Sequence, residues 1–414
     1  MQIPLEELAG EAQREFLDHF VAALRRNGGY GGSSWFNPDG SFEVSLSCTL
    51  SVGDASASLL WKWVRDRNGS VDALTVVPEE GAGCAAEGWQ DAARDLVHRA
   101  LLMALKKKRE EFFVRDTYFY IGPNLDGEYW LSGTRVAPAI CEEAQPALIN
   151  CERALHIDQK VPGIDAAHAL ELGRERAKRI AARLSLLLNV GLYHVAPDLR
   201  FVLSYDDTSA DAAPRRMHLG FRDRRPPPRA MPRKGEDCHP GSPLPPGTDE
   251  IRFWGDNLRL PGETRRIFRA ADNPSHLFGE AFDACSRLYQ VSLVAGKHFR
   301  TVRLAYQVAA VEAITKSDPS LSGFPAFMRR FTPPSEGLDV FLDYLWGPVR
   351  SAHFHAGKFP LGDFLASGFD LTSPESMERN TIAFEAPLLI RQAILAWARE
   401  SSAAIDPDSR KQSA

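Results

Sequence analysis

Residues 206–249 constrain the fold more than any other stretch, because they lack apolar periodicity and are dominated by proline, arginine and glycine. A segment of this composition buries too little apolar surface to offset the entropy lost on ordering. The sequence therefore predicts either a disordered linker at 206–249 or a long excursion from the first half of the chain. This segment is predicted to separate an α+β half at 1–205 from an all-helical half at 250–404. A disordered tail is expected at 405–414.

The same segment is locally basic in a chain whose net charge is −5. Its cations are Arg215, Arg216, Arg222, Arg224, Arg225, Arg229, Arg233 and Lys234. Two interpretations fit, a solvated tether and an electrostatic arm that captures RNA, and the composition favours the tether. The acidic overall charge argues against a protein that coats nucleic acid through bulk charge, so any contact with RNA would be local.

The first half mixes strand-like and helical patterns, which predicts an α+β domain or domains of unknown function. We expect helices at 5–26, 89–109 and 166–188, and strands at 42–52, 59–67, 70–77, 113–121, 128–136 and 199–205. Asn68-Gly69 predicts one β-hairpin, and the runs 113–121 and 128–136 predict a second. The first elements follow the order of double-stranded-RNA-binding domains, but the lysines at 106–108 lie at the wrong end of the last helix. A small α+β domain with a solvated basic tip is therefore favoured.

Apolar residues recur at helical spacing in the second half. The predicted helices cover 275–295, 299–316, 323–331, 336–346, a segment from 348, and 378–401. Pro387 is expected to kink or divide the last of them, because proline lacks an N–H and clashes with the preceding turn. This pattern predicts a helical bundle, and the polar segment before it predicts that the bundle folds separately.

The composition and the termini indicate the compartment. Hydrophobic residues make up 44% and charged residues 25% of the 414-residue chain, as in an ordinary soluble protein with a core. Six scattered cysteines without a CxxC pair indicate neither a zinc site nor a disulfide framework. The first residues lack the apolar core of a signal peptide, and no apolar run approaches the ~18–20 residues of a membrane span. We therefore predict a cytoplasmic protein without membrane contact and without a cofactor.

A polar cluster ends the apolar stripe of residues 338–349. It comprises Arg350, Ser351, His353 and His355. A guanidinium can bind a phosphate bidentately, and an imidazole can transfer protons near neutral pH. No carboxylate lies near the two histidines in sequence, so a metal site is not indicated. The cluster is suited to phosphate chemistry.

The segment Arg350-Ser351-Ala352-His353-Phe354-His355 resembles the R-x4-6-H motif of the HEPN superfamily. Upstream, Val311-Glu312-Ala313 in the predicted helix is similar to the signature of Apea-like HEPN domains. The resemblance covers about residues 270–400. The sequence departs from the pattern at Gly347-Pro348, where we expect a break with Pro348 at the first position of a new helix. Either His353 or His355 could be the motif histidine, and the spacing favours His355.

The resemblance implies an endoribonuclease that cleaves single-stranded RNA without a metal ion, through attack of a 2′-hydroxyl on the adjacent phosphate. His355 would be the acid/base, Arg350 the phosphate clamp and Ser351 a positioning hydroxyl, with His353 as the second candidate histidine. It further implies a homodimer through the C-terminal bundle, and a role in phage defence or a toxin system. The alternative is a non-catalytic HEPN-type binding or scaffolding module, in which Arg350 only pairs with Glu312.

Overall fold

The computed structural model describes residues 1–5, 7–27, 32–52, 55–79, 88–139, 152–194, 228–247, 257–318, 320–365 and 373–405. The chain divides into two compact units, Met1–Val114 with Val161–Leu172 and Arg115–Lys160 with Gly173–Ala414. Two antiparallel sheets and several helices form the N-terminal region, and the C-terminal region from 264 to 405 is helical. The predicted fold class is therefore confirmed.

The first unit contains a five-stranded antiparallel sheet with strand order β1-β5-β4-β3-β2. Its elements are β1 (Gln2–Pro4), α1 (Gly10–Arg26), β2 (Gly32–Phe36), β3 (Phe42–Val52), β4 (Ala55–Arg65), β5 (Ala73–Pro78) and α2 (Trp89–Leu105). Residues of α1, α2 and one sheet face share a core, in which the rings of Phe20 and Trp61 lie 4.9 Å apart. The predicted hairpin at Asn68-Gly69 is confirmed, and Gly69 has a φ of +85°.

The second sheet has the strand order β6-β9-β8-β7. Its strands are β6 (Glu110–Ile121), β7 (Tyr129–Leu131), β8 (Thr134–Pro138) and β9 (Glu152–Gly163). The predicted hairpin between 113–121 and 128–136 is wrong, because β9 lies between β6 and β8. The hairpin here is β7–β8, whose two turn residues Ser132 and Gly133 have φ values of +43° and +77°.

The remaining elements are helices, and all of them lie in the second unit except residues 166–172 at the start of the first one. They are α3 (Ala166–Leu188), α4 (Thr264–Ala271), α5 (Phe278–Ala295), α6 (Arg300–Ser317), α7 (Gly323–Phe331), α8 (Leu338–Tyr344), α9 (Ala352–Ala356) and α10 (Pro374–Ile405), with a π-helical segment (Leu345–Ser351) between α8 and α9. Pro387 lies inside α10 and does not divide it. The predicted strand 199–205 and the tail after residue 405 lie outside the described residues.

One hydrophobic core unites the second sheet, α3 and the C-terminal helices. It includes Tyr120 and Leu155 of the sheet, Leu184 of α3, Val308 of α6 and Ile390 of α10. Apolar residues of the bundle therefore pack on elements that precede residue 205. Independent folding of a C-terminal bundle therefore stays a prediction, whereas the two compact units divide after Val114, with Val161–Leu172 in the first unit.

Residues 228–247 belong to the segment for which we expected either a disordered linker or a long excursion from the first half of the chain, and their backbone pairs with residues of that half. The N–H of Glu128 donates to the carbonyl of His239 at 2.9 Å, and the N–H of Gly241 donates to the carbonyl of Glu128 at 2.8 Å. Leu244, which is buried, donates its N–H to the carbonyl of Leu260 at 2.8 Å. These backbone hydrogen bonds hold the segment in place, and its side-chain composition gives no sign of them. Residues 206–227 and 248–249 are outside the described part of the chain.

A buried ion network holds the second sheet and the 228–247 segment together. Arg135 is 1% exposed; its Nε lies 2.6 Å from Glu128 and its Nη1 lies 2.9 Å from Asp158. Asp158 also accepts two hydrogen bonds from Arg115, at 2.6 and 2.8 Å. The N–H of Gly235 donates to the other oxygen of Glu128. Such a network is stabilising only when complete, because a single lost partner leaves a buried charge uncompensated.

Acid should weaken this network through Glu128. Burial alone would raise the pKa of its carboxyl, but hydrogen bonds from Arg135 and Gly235 outweigh burial and hold the pKa below its ordinary value of 4.5. The stabilisation is therefore fully present above 4.5 and is lost as the pH falls through the lower pKa of the folded state. We expect the free energy of unfolding, measured by urea titration, to fall across this range.

The variant Glu128→Gln isolates this contribution from that of other carboxylates. It should be less stable than the wild type above pH 4.5, and the difference should shrink as the pH is lowered further. A difference that stays constant down to acid unfolding would contradict the role of Glu128.

A truncation tests the shared core. A chain that starts at residue 250 lacks the second sheet and α3, so its apolar helix faces have no cover, and we expect aggregation or strong binding of the dye ANS. A chain that starts at residue 110 keeps β6 and the whole core of the second unit and should remain soluble, with a near-UV circular dichroism spectrum of fixed side chains. Cooperative unfolding of the shorter chain would support the prediction of an independent bundle.

The helix α10 is long and apolar enough to cross a membrane by length and composition alone, although Glu385 and Arg391 interrupt its apolar residues. Ile390, Ile394 and Trp397 of this helix are buried in the core of the second unit. More than half of its most apolar part is buried inside the protein, as in the core helix of a soluble protein. Its apolar character is explained by burial in the protein.

Candidate functional site

The candidate site lies on a continuous helical path from α8 through the π-helical segment to α9. Pro348 lies inside the π-helical segment, so the predicted break with Pro348 at the first position of a new helix is wrong. In a π-helix the N–H groups bond five residues back, and the wider turn accommodates a residue that has no N–H to donate. Leu345 and Val349 of this segment are buried, which fixes the rotation of the path and the position of Arg350.

Arg350 is bound to Glu312 of α6. Its Nη2 and Nε lie 2.7 Å and 2.9 Å from the same carboxylate oxygen, Oε2. The indole N–H of Trp346 donates to Oε1 of Glu312 at 3.1 Å. The two charged side chains are only 21% and 15% exposed, so the pair is partly shielded from water. This carboxylate both orients the guanidinium and neutralises its charge.

The structure places the two histidines differently. Nδ1 of His353 lies 3.2 Å from the carbonyl oxygen of Lys358, and since a carbonyl only accepts, Nδ1–H must donate. The neutral ring then has a free lone pair on Nε2. His355 is exposed and makes no hydrogen bond to the described residues. Ser351 is half-buried. Gly357, at a φ of +61°, ends α9 two residues after His355.

In an α-helix, the five-residue separation of Arg350 and His355 would turn the two side chains in different directions. Residues five apart on an α-helix are rotated by about 140° around its axis, whereas residues three and four apart share a face. The guanidinium carbon of Arg350 accordingly lies 5.5 Å from the ring centre of Phe354, four residues on. His353, three residues on, falls on the same side by this geometry. The orientation of the side chains therefore supports His353 as the histidine that acts with Arg350, whereas the spacing of the motif supports His355 in this role.

The sequence analysis missed several aromatic residues near the site. Trp346 orients Glu312. Phe354, Phe359 and Phe364 follow one another at intervals of five residues, and Phe359 contacts the ring of His353 at a centroid distance of 4.9 Å. Their density in a segment that also contains two glycines and a proline was a visible signal, because a loop has no helical stripe to bury such rings.

No group of three or more histidine, cysteine, aspartate or glutamate side chains is arranged to hold a metal ion within the described ranges. Cys48, Cys238 and Cys285 are free thiols.

No family model matches the sequence, and comparison with curated proteins and solved structures gives no significant match. The function must therefore be inferred from the geometry of the site.

Glu312 should contribute measurably to stability. Glu312→Ala leaves the partly buried guanidinium of Arg350 without a counter-charge, and we expect a loss of about 1–3 kcal/mol in the free energy of unfolding. Glu336→Ala, which removes an exposed carboxylate without an ion pair to the described residues, should change stability by less than ~0.5 kcal/mol. Equal effects of the two substitutions in a urea titration would show that the Arg350–Glu312 pair is not stabilising.

Proposed function

We propose that the chain is a metal-independent endoribonuclease that cleaves single-stranded RNA. Arg350 and His355 are its proposed catalytic residues. The observation that supports this most is the way Arg350 is held. Glu312 occupies Nε and Nη2, and the N–H groups of Nη1 have no partner among the described residues. A positioned guanidinium with free donors can bind a non-bridging phosphate oxygen, and it stabilises the charge that develops in a phosphorane.

The proposed reaction needs two proton transfers. A base removes the proton of the 2′-hydroxyl, whose oxygen forms a bond to phosphorus while the bond to the 5′-oxygen breaks. An acid protonates that leaving oxygen, so the products are a 2′,3′-cyclic phosphate and a 5′-hydroxyl. The exposed imidazole of His355 can take either role, because an imidazole both accepts and donates a proton in general acid–base catalysis.

A second chain would complete such a site. Residues five apart on an α-helix lie on different sides, so one chain would not bring Arg350 and His355 together, whereas in-line cleavage needs an acid, a base and a cation around one phosphate. We propose a homodimer through the C-terminal helices in which both chains contribute these side chains. Ser351, half-buried beside Arg350, would position a phosphate oxygen through its hydroxyl.

A non-catalytic binding or scaffolding module is the second candidate, and one observation favours it. The Arg350–Glu312 pair has no net charge, which lowers the attraction of the site for a free phosphate. In that case Arg350 would serve only to join the π-helical segment to α6. Activity measurements on variants separate the two candidates.

The histidines provide the sharpest test. If His355 is the acid/base, His355→Ala should reduce the cleavage rate by about 10²–10⁴-fold, and His353→Ala should reduce it less. Arg350→Lys should also reduce the cleavage rate, because the ammonium group of lysine cannot replace a planar guanidinium that binds Glu312 and phosphate together. Cleavage of a labelled single-stranded RNA is followed on denaturing gels, with His276→Ala, an exposed histidine outside the site, as the matched control.

EDTA should leave this activity unchanged, and sedimentation velocity should show a dimer at micromolar concentration. Full activity of His355→Ala, or loss of cleavage in EDTA, would reject the ribonuclease at this site in favour of the binding module. A larger loss from His353→Ala would instead move the acid/base role to His353. An active monomer would contradict the composite site.

A further inference from the structure

Aromatic rings form a continuous row beside Arg350. The ring of Phe354 lies 5.3 Å from that of His353, which lies 4.9 Å from that of Phe359. Phe359 in turn contacts Phe364 at 4.7 Å and Phe299 at 6.3 Å. We call these five rings the aromatic row. It joins α9, the loop after it and the residue before α6 into one surface.

Several of these rings are exposed to solvent. Phe364 is 71% exposed, Phe354 is 41% exposed and Phe299 is 36% exposed. Single exposed apolar residues are common, but a contiguous group of aromatic rings is typical of a surface that binds something. The row begins at Phe354, which is the ring in contact with Arg350, so a ligand on the row would reach the candidate site.

Positive charge surrounds the row. Lys297 and Arg300 flank Phe299, and Lys358 precedes Phe359. All three are exposed, and none of them has a carboxylate partner within the described residues; Arg300 donates to the neutral amide oxygen of Asn380. The nearby carboxylate of Asp363 is engaged by the backbone N–H and the hydroxyl of Thr301, at the start of α6. The surface is therefore cationic and aromatic in a chain whose net charge is −5.

We propose that the aromatic row stacks the bases of single-stranded RNA, while Lys297, Arg300 and Lys358 bind its phosphates and direct the strand towards Arg350. This inference deepens the proposed ribonuclease by naming the part of the chain that binds its substrate. Bases of a single strand can splay out and stack on aromatic rings, whereas those of a duplex are paired and cannot reach them. Lysine is depleted at the centre of protein–protein interfaces, so the flanking lysines favour a polyanion over a second protein.

The test separates binding from cleavage. Binding of a fluorescently labelled single-stranded RNA is measured by polarisation with the full chain carrying His355→Ala, so that the probe stays intact. Adding Phe364→Ala should raise Kd about 10-fold, because each stacked base contributes on this scale. Phe364→Tyr should restore binding, since it keeps the ring. Phe36→Ala, which removes an 80% exposed ring from the first unit, should leave Kd unchanged.

Salt dependence tests the cations. Lys358→Gln should reduce the magnitude of the slope of the logarithm of the association constant against the logarithm of the salt concentration by about 0.7. This is the value for one phosphate contact on a single strand. An RNA hairpin without single-stranded flanks should bind at least 10-fold more weakly than the open strand. A Kd that is unaffected by Phe364→Ala, or equal binding of the hairpin, would overturn the proposal.

The outcomes distinguish this inference from the proposed function. Ring-dependent RNA binding without any cleavage by the wild type would keep the aromatic row and reject the ribonuclease. If cleavage depends on His355 but RNA binding is unaffected by Phe364→Ala, the aromatic row is rejected as the RNA-binding surface and the proposed ribonuclease is kept. If Phe364→Ala leaves RNA binding intact and abolishes dimer formation in sedimentation, the row is a surface for self-association and the proposal is wrong.

Discussion

The second unit depends on the burial of α3 between the second sheet and the C-terminal helices. The last carbonyls of a helix lack partners within it, and those of Leu186 and Leu187 accept hydrogen bonds from the buried guanidinium of Arg391 in α10, at 3.2 and 2.9 Å. On the same helix, Arg183 binds Asp283 of α5 at 2.6 Å. Buried arginines of this kind are destabilising when a partner is lost. Sheet and helices are consequently parts of one core, which fixes α5, α6 and α10 as the framework of the candidate site.

Elements with a clear apolar period could be predicted from the sequence, and elements stabilised by polar pairing could not. The 3.6-residue stripe of α3 predicted its limits, and Asn68-Gly69 predicted the β4–β5 turn. The strand β9 was missed because its interior carries polar residues, among them Asp158, which is fully buried. Its charge is matched by Arg115 and Arg135, which are distant in sequence. Nothing local in the sequence indicates such pairing, and the same holds for residues 228–247.

The residues of the candidate site could be selected from the sequence, but their geometry could not. Arg350, the two histidines and the nearness of Glu312 follow from the motif and from the two helices that carry them. The path through Pro348 was not predictable, because the rule that proline interrupts an α-helix does not anticipate a π-helical turn. That turn keeps α8 and α9 continuous. The continuity places Phe354 against Arg350, and from there the aromatic contacts extend to Phe364.

The Arg350–Glu312 pair also explains why a phosphate site here would need additional binding surface. A guanidinium fixed by a carboxylate is well oriented, but the pair is neutral, so it attracts the single negative charge of a phosphodiester only weakly. A phosphorane carries more negative charge than the phosphodiester, and a preorganised N–H donor gains strength as that charge develops. Such a site would favour the transition state over the bound substrate. Affinity for the substrate must then come from elsewhere, and the exposed rings and cations beside Phe299 and Phe359 are suited to supply it.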